Sequence, residues 1–291
     1  MADGAGFADL PERYRDPGTA LIAVLPVPYD RTSTWKKGAD RGPAAIIEAS
    51  HQLEWYDVPT ASEVYRQGIA TLDPVVCEDG PERLADLVDL EVARLLDGGR
   101  LPVVLGGDHS VAIGAIRAAA RLRSGLSVLQ IDAHADTRDE YQGSHFNHAC
   151  VMARARDWCP VVQVGLRAVD GSEVDGLEPH RVVWAHDIAA AGSDTAWMDD
   201  ALSPLGDPVW VTIDLDGFDP SILPATGTPE PGGLDWYQVT GLLERLTRRR
   251  TVVGFDVVEL LPSKEHWASA FLAAKLVYRL LSMICAARSP D

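Results

Sequence analysis

Three short segments hold most of the side chains able to do chemistry. They are Gly106-Gly107-Asp108-His109-Ser110, Asp132-Ala133-His134-Ala135-Asp136 and Asp214-Leu215-Asp216-Gly217-Phe218-Asp219-Pro220. Alternate residues of an extended segment point to the same side, so Asp132, His134 and Asp136 can face one pocket, and so can Asp214 and Asp216. Four carboxylates gathered without counter-charge repel and raise one another's pKa, and two divalent cations would cancel that charge. Two imidazoles and four carboxylates with no thiolate suit a hard or borderline octahedral ion. Manganese is the expected metal, because a structural zinc site more often shows Cys ligands. Each segment alone has a plainer explanation. Asp-x-His-x-Asp also suits a solvated loop, Asp108 or Ser110 can cap a helix, and Asp219 before Pro220 reads as turn chemistry. Their coincidence in one chain carries the metal expectation.

The elements around these segments follow one pattern. Short continuous runs rich in Val, Ile and Leu occur at residues 20–25, 101–105, 126–131, 161–164, 181–184, 209–215 and 252–257, the mark of strands buried on both faces. Helical segments at 43–52, 81–96, 110–122, 234–248 and 268–286 lie between and after them. The second opens on Pro81, spaces Leu84, Leu87, Leu90, Val92 and Leu95 in a helical rhythm and ends at Gly98. Strand and helix alternate over the whole length, so the expected fold is a single-domain three-layer α/β/α structure with a mainly parallel sheet. Residues 1–18 read as a surface arm and 19–291 as the catalytic domain. Ligands of an open α/β sheet bind beyond the carboxyl ends of the strands. All three segments directly follow a predicted strand.

The motifs resemble those of the ureohydrolase family of arginases, agmatinases and related guanidino-acid hydrolases. GGDHS at 106–110, DAHAD at 132–136, IDLDGFDPSILPATGTPEPGG at 213–233 and DVVELLP at 256–262 carry the resemblance, which runs from about residue 24 to the last helix. It implies two Mn2+ per subunit. His109 and Asp136 would hold one ion, His134 and Asp216 the other, and Asp132 and Asp214 would bridge the pair. It also implies a homo-oligomer, a trimer or a hexamer.

A guanidinium is resonance-stabilised, so its hydrolysis needs a strong nucleophile at neutral pH, and water between two cations meets that need. Glu259 is the expected anchor, because one carboxylate can pair with two guanidinium N–H groups. The departing amine must be protonated, and His148 matches the family's loop histidine, with His145 as the alternative. The loop after DAHAD, residues 137–144, departs from the Asn and Ser-Gly-Asn pattern of arginases. Its Asp139 and Glu140 suit a substrate ending in an amine. Arg138 would instead favour a carboxylate, unless it pairs with Asp139, Glu140 or another subunit. The expected reaction is hydrolysis of agmatine to putrescine and urea, a step of polyamine biosynthesis. Hydrolysis of a guanidino acid such as 4-guanidinobutyrate is the alternative, followed by arginase activity or a metal-binding homologue without turnover.

Composition narrows the remaining classes. The 291 residues carry a net charge of −17, which disfavours nucleic-acid binding and favours a small cationic substrate. The longest clean apolar run, at 20–28, is far short of the roughly 20 residues of a membrane helix, and the C-terminal apolar stretch is broken by Lys275 and Arg279. No secretory signal pattern is evident at the N-terminus, so a cytoplasmic protein without membrane association is expected. Cys77, Cys150, Cys159 and Cys285 form no C-x-x-C pair and suit buried thiols.

Overall fold

A computed structural model describes residues 6–288. The strands are β1 (Ile22–Val27), β2 (Ile69–Thr71), β3 (Leu101–Gly106), β4 (Ser127–Ile131), β5 (Val161–Leu166), β6 (Val182–Trp184), β7 (Val209–Asp214) and β8 (Val252–Val258). The helices are α1 (Gly42–Ser50), α2 (Pro81–Asp97), α3 (Val111–Leu122), α4 (Val151–Arg156), α5 (Gly171–Val174), α6 (Ala185–Ala191), α7 (Ala196–Leu202), α8 (Trp236–Arg249) and α9 (Trp267–Arg288). The strands form one sheet in the order β2-β1-β3-β8-β7-β4-β5-β6, and every pairing is parallel.

Alternation along the strands feeds two cores. Leu101, Val103 and Leu105 of β3 and Val211 and Ile213 of β7 face the layer of α1, α8 and α9. Val104 and Trp210, one residue out of step, face the layer of α2, α3 and α4. Both faces are therefore covered, which explains the unbroken aliphatic runs. The edge strand β2 escaped the sequence reading because three residues carry no periodicity. On α2, Val88 rather than Leu90 joins the buried face with Leu84 and Val92, and Leu90 is 65% exposed. Two consecutive steps of three residues from Leu84 drift off a stripe whose true period is 3.6.

The expected surface arm needs correction in part: residues 1–5 lie outside the described residues and 11–18 are mostly exposed, but 7–10 are anchored. Phe7, Ala8 and Leu10 are buried in the core shared by α1 and α9. The Ser50 hydroxyl accepts the Ala8 N–H, and the Trp55 indole N–H donates to the Ala8 carbonyl. Gly and Asp in this segment concealed two apolar anchors. By length and composition α9 is apolar enough to cross a membrane. Here Leu276, Val277, Leu280 and Leu281 are buried in the core, and Arg279 pairs with the buried Asp57. All four cysteines are free thiols.

Candidate metal centre and substrate cavity

The order β3-β8-β7-β4 makes neighbours of four strands from distant parts of the chain. Their carboxyl ends deliver His109, Glu259, then Asp214 and Asp216, then Asp132, His134 and Asp136. The turn after β3 needs Gly107 because a Cβ there would lie 2.0 Å from the Tyr29 carbonyl oxygen, which accepts the Asp108 N–H. Asp108 does not cap α3. Its buried carboxylate accepts the Thr32 N–H at 2.8 Å and the Ser110 N–H at 3.1 Å, tying down the loop after β1. Asp219 takes the N–H groups of Ser221, Gly232 and Gly233 as a turn former, and the Ser221 bonds help pull its carboxyl down to about 2.

Two groups of potential ligand atoms share Asp132. One is His109, Asp132 and Asp214; the other is Asp132, His134 and Asp216. His109 Nδ1 lies 3.0 Å from Asp136, 3.2 Å from Asp132 and 3.5 Å from Asp214. His134 Nδ1 lies 3.0 Å from Asp216 and 3.6 Å from Asp132. Asp214 accepts the Asp216 N–H at 2.9 Å, and Asp132 accepts the His134 N–H at 2.6 Å, so the clusters brace each other. All six residues named from the sequence converge.

This donor set fits a divalent metal. His109 Nδ1 is buried without a hydrogen-bond partner although three carboxylates surround it. Its other nitrogen, Nε2, donates to Thr212 Oγ1 at 2.8 Å. The Thr212 hydroxyl donates to Asp256 at 2.6 Å, and Asp256 also accepts the Trp210 indole N–H at 2.7 Å. The proton of neutral His109 thus sits on Nε2, and the Nδ1 lone pair faces the carboxylates, as in a metal-ligating histidine.

Electrostatics point the same way. Burial would lower His109 and His134, but the surrounding carboxylates hold both well above the ordinary imidazole range. Burial and then Asp132 push Asp136 up to about 6. Burial, Asp216 and Asp132 hold Asp214 well above its usual value. Burial works against Asp132, yet His109 and His134 keep it below the usual carboxylate range. In the metal-free chain, protons supply the missing positive charge. Asp136 and Glu259 also adopt left-handed backbone, with φ of 52° and 65°. Such strain in non-glycine residues gathers at functional sites.

A cavity of about 370 Å³ opens over the clusters. Glu259 lines it and accepts the His109 N–H at 2.8 Å. Burial and then Asp108 raise Glu259 well above the usual carboxylate range. His148 lines it too, with its Nδ1 3.2 Å from the Thr32 hydroxyl, which also accepts the His148 N–H at 3.0 Å. Burial, then His109 and His134, push His148 down to about 4, so its imidazole is neutral at pH 7. His145 is outside the lining, half exposed, and bonded through Nδ1 to the Asp139 carbonyl at 2.7 Å.

The specificity loop differs from expectation. Asp139 does not line the cavity; it is 78% exposed and bound to Arg154. Arg138 lines the wall but pairs with Asp170 and Glu173, both at 3.5 Å, and stacks over Tyr141 at 4.5 Å. Asp170, Glu173 and Glu230 are the acidic groups of the outer wall, with Trp35 at 66% exposure and Lys36 beside them. Sequence reasoning missed them. Asp170 and Glu173 follow β5 and form a capping box on α5, so the question asked of the three motif strands would have found them here too.

A sequence profile of the arginase family matches residues 20–283. The chain belongs to the arginase family. Members of this family are hydrolases acting on guanidino groups, and the family's centre is a binuclear metal site. The chain is 38% identical to the N(1)-aminopropylagmatine ureohydrolase of Synechocystis sp. over 90% of its length and 88% of that protein. It is 35% identical to the agmatinase of Pyrococcus horikoshii, covering 89% of this chain and 90% of that one. The solved agmatine ureohydrolase of Thermoplasma volcanium superposes with a TM-score of 0.84 at 32% identity, over 92% of this chain and 91% of the other. The family's α/β fold, with its single parallel sheet, is the fold described above.

Proposed function

We propose that this arginase-family hydrolase cleaves the guanidino group of an amine-ended guanidine, agmatine to putrescine and urea, with two Mn2+ held by His109, Asp132, His134, Asp136, Asp214 and Asp216. Asp132 and Asp214 would serve both cations, His109 and Asp136 would hold one, and His134 and Asp216 the other. Bound there, the cations would neutralise the carboxylates and make water nucleophilic at neutral pH. Glu259 receives the planar guanidinium through paired N–H groups. His148, neutral at pH 7 and lining the cavity, would take up the proton released by the nucleophilic water and pass it to the departing amine. A cytoplasmic homo-oligomer belongs to the same proposal.

One observation carries the choice of substrate. Asp170 and Glu173 engage Arg138, the loop cation that would read a substrate carboxylate, and with Glu230 they outnumber the other wall cation, Lys36, which lies over the Trp35 ring. That wall suits a tail ammonium and disfavours a guanidino acid. A longer relative of agmatine, N(1)-aminopropylagmatine, is favoured as a second substrate, because the cavity continues outward to acidic groups and the exposed face of Trp35. The test is urea release by manganese-loaded protein from agmatine, N(1)-aminopropylagmatine, 4-guanidinobutyrate and L-arginine. Either amine substrate leading supports the proposal. 4-Guanidinobutyrate or L-arginine leading overturns the amine-reading wall. No urea from a metal-loaded sample identifies a homologue without turnover.

Glu259→Gln should lower kcat/KM by about 100-fold, since losing one partner of a buried charge pair costs about 3 kcal/mol. Gln keeps an acceptor for the His109 N–H, and Glu259 belongs to neither ligand group, so metal content should stay at the wild-type level. Metal analysis beside steady-state kinetics checks both halves. Lost metal would move Glu259 from substrate binding to the centre itself.

A further inference from the structure

Gln130 is a fully buried amide in β4, among Val128, Leu129 and Ile131, and two residues before Asp132. Such a group is costly in a core unless its hydrogen bonds are made. Its Nε2 donates to Asp132 Oδ2 at 2.6 Å and reaches the His134 carbonyl at 3.3 Å. Its Oε1 accepts from Gln163 Nε2 at 2.6 Å, and Gln163 is its register partner on β5. Gln163 is also fully buried, and its Nε2 donates to the Ala135 carbonyl at 2.8 Å. Its Oε1 accepts from Arg156 Nη2 of α4 at 2.7 Å, and the Nη1 of Arg156 donates to the Gly176 carbonyl at 3.0 Å.

The direction of this chain is fixed. A guanidinium only donates and a backbone carbonyl only accepts. Arg156 therefore assigns the oxygen of Gln163, the Ala135 carbonyl assigns its nitrogen, and the same logic passes to Gln130. Asp132 Oδ2 always meets a donor. We infer that Arg156, Gln163 and Gln130 are positioning residues that hold the carboxylate shared by both ligand groups in its metal-receiving orientation. Asp132 Oδ1 is already held by the His134 N–H, so the Gln130 bond is what stops rotation about the last side-chain torsion. The remaining lone pairs then face His109 and His134 before any cation arrives. Arg156, on the far side of two amides, contributes to the centre without touching it.

This inference rests on the metal-centre proposal above, and Mn2+ alone is the probe. Mn2+ affinity of the full chain is measured by equilibrium titration, beside the thermal midpoint of the metal-free protein. Gln130→Leu should weaken Mn2+ binding by about 10-fold or more, the usual effect of losing a partner behind a metal ligand. Arg156→Leu should weaken it several-fold by leaving the Gln163 oxygen unpaired, and Arg156→Lys should recover most of that loss. Should Gln130→Leu fail to fold, the two Arg156 variants decide. Unchanged Mn2+ affinity in the folded leucine variants overturns the inference, even where the metal-free midpoint falls, because that pattern means packing alone. Arg156→Lys behaving like Arg156→Leu overturns the directional chain. Wild-type protein that takes up no Mn2+ overturns the metal-centre proposal instead.

Discussion

Asp132→Asn should abolish urea release, by about 1,000-fold or more, and leave each chain short of at least one cation. Two effects add. The substitution removes the negative charge common to both ligand groups. It also has no satisfactory amide orientation. Asp132 Oδ1 faces the His134 N–H at 2.6 Å, and Oδ2 faces the Gln130 Nε2–H at 2.6 Å. An Asn must turn its own NH2 toward one of those donors, and a buried donor left without an acceptor costs about 1–3 kcal/mol. Asp214→Asn should also cost activity and metal, although its oxygen can still accept the Asp216 N–H. Metal analysis of the purified variants beside the urea assay checks the prediction. Full occupancy with normal turnover in Asp132→Asn would remove the bridging role.

Stripped of divalent cations, the protein should lose thermal stability as pH rises from 5 to 8, and Mn2+ should restore most at pH 8. The sign follows from groups whose pKa is higher folded than unfolded. Each contributes stability that is complete below its unfolded value and is lost as pH rises through its folded value. Asp136 moves from the ordinary carboxylate value up to about 6 because of burial and Asp132, so its contribution fades between about pH 4 and 6. Asp214 and Glu259, also raised, act in the same direction and outweigh His148, which is lowered to about 4 and acts oppositely between about pH 4 and 6.5. His109 and His134 are held well above the imidazole range, and their contribution is lost as pH rises beyond it. Cations replace these protons, so their binding strengthens as pH rises. At about 1,000 times its Kd, Mn2+ adds about 4 kcal/mol, or about 8 °C of midpoint for a chain of this size. Thermal melts with EDTA and with Mn2+ across this range give the answer. A manganese shift independent of pH would show that these protons and the cations do not compete.

The structural reason for both results was partly legible in the sequence. His109, Asp132, His134, Asp136, Asp214 and Asp216 stand directly after aliphatic runs at spacings of two, and extended geometry alone turns each set to one side. Glu259 and His148 came through family motifs, and both line the cavity. Arg138 was legible as a residue but not as an interaction. Its partners, Asp170 and Glu173, lie more than thirty positions onward, and nothing local indicates a bond across that separation. Asp139 is near the cavity along the loop but not in space. Its side chain turns outward to Arg154. Phe7 and Leu10 show the same limit at the N-terminus, where two apolar residues among Gly and Asp give no periodic signal.

By itself the sequence determined which side chains stand at the carboxyl ends of the strands, that those strands are buried on both faces, and that one parallel sheet must carry them. Only the tertiary structure decided that β8 and β7 insert between β3 and β4, which brings His109, Glu259, Asp214 and Asp132 to adjacent strand ends. Local spacing is a property of a few successive dihedral angles. Strand order is set by long crossover connections and by which apolar faces the helices cover, and both depend on the whole chain at once. The amide chain from Arg156 to Asp132 is of the second kind. Gln130 and Gln163 look out of place in two apolar runs until their strands pair in register and each amide finds its partner.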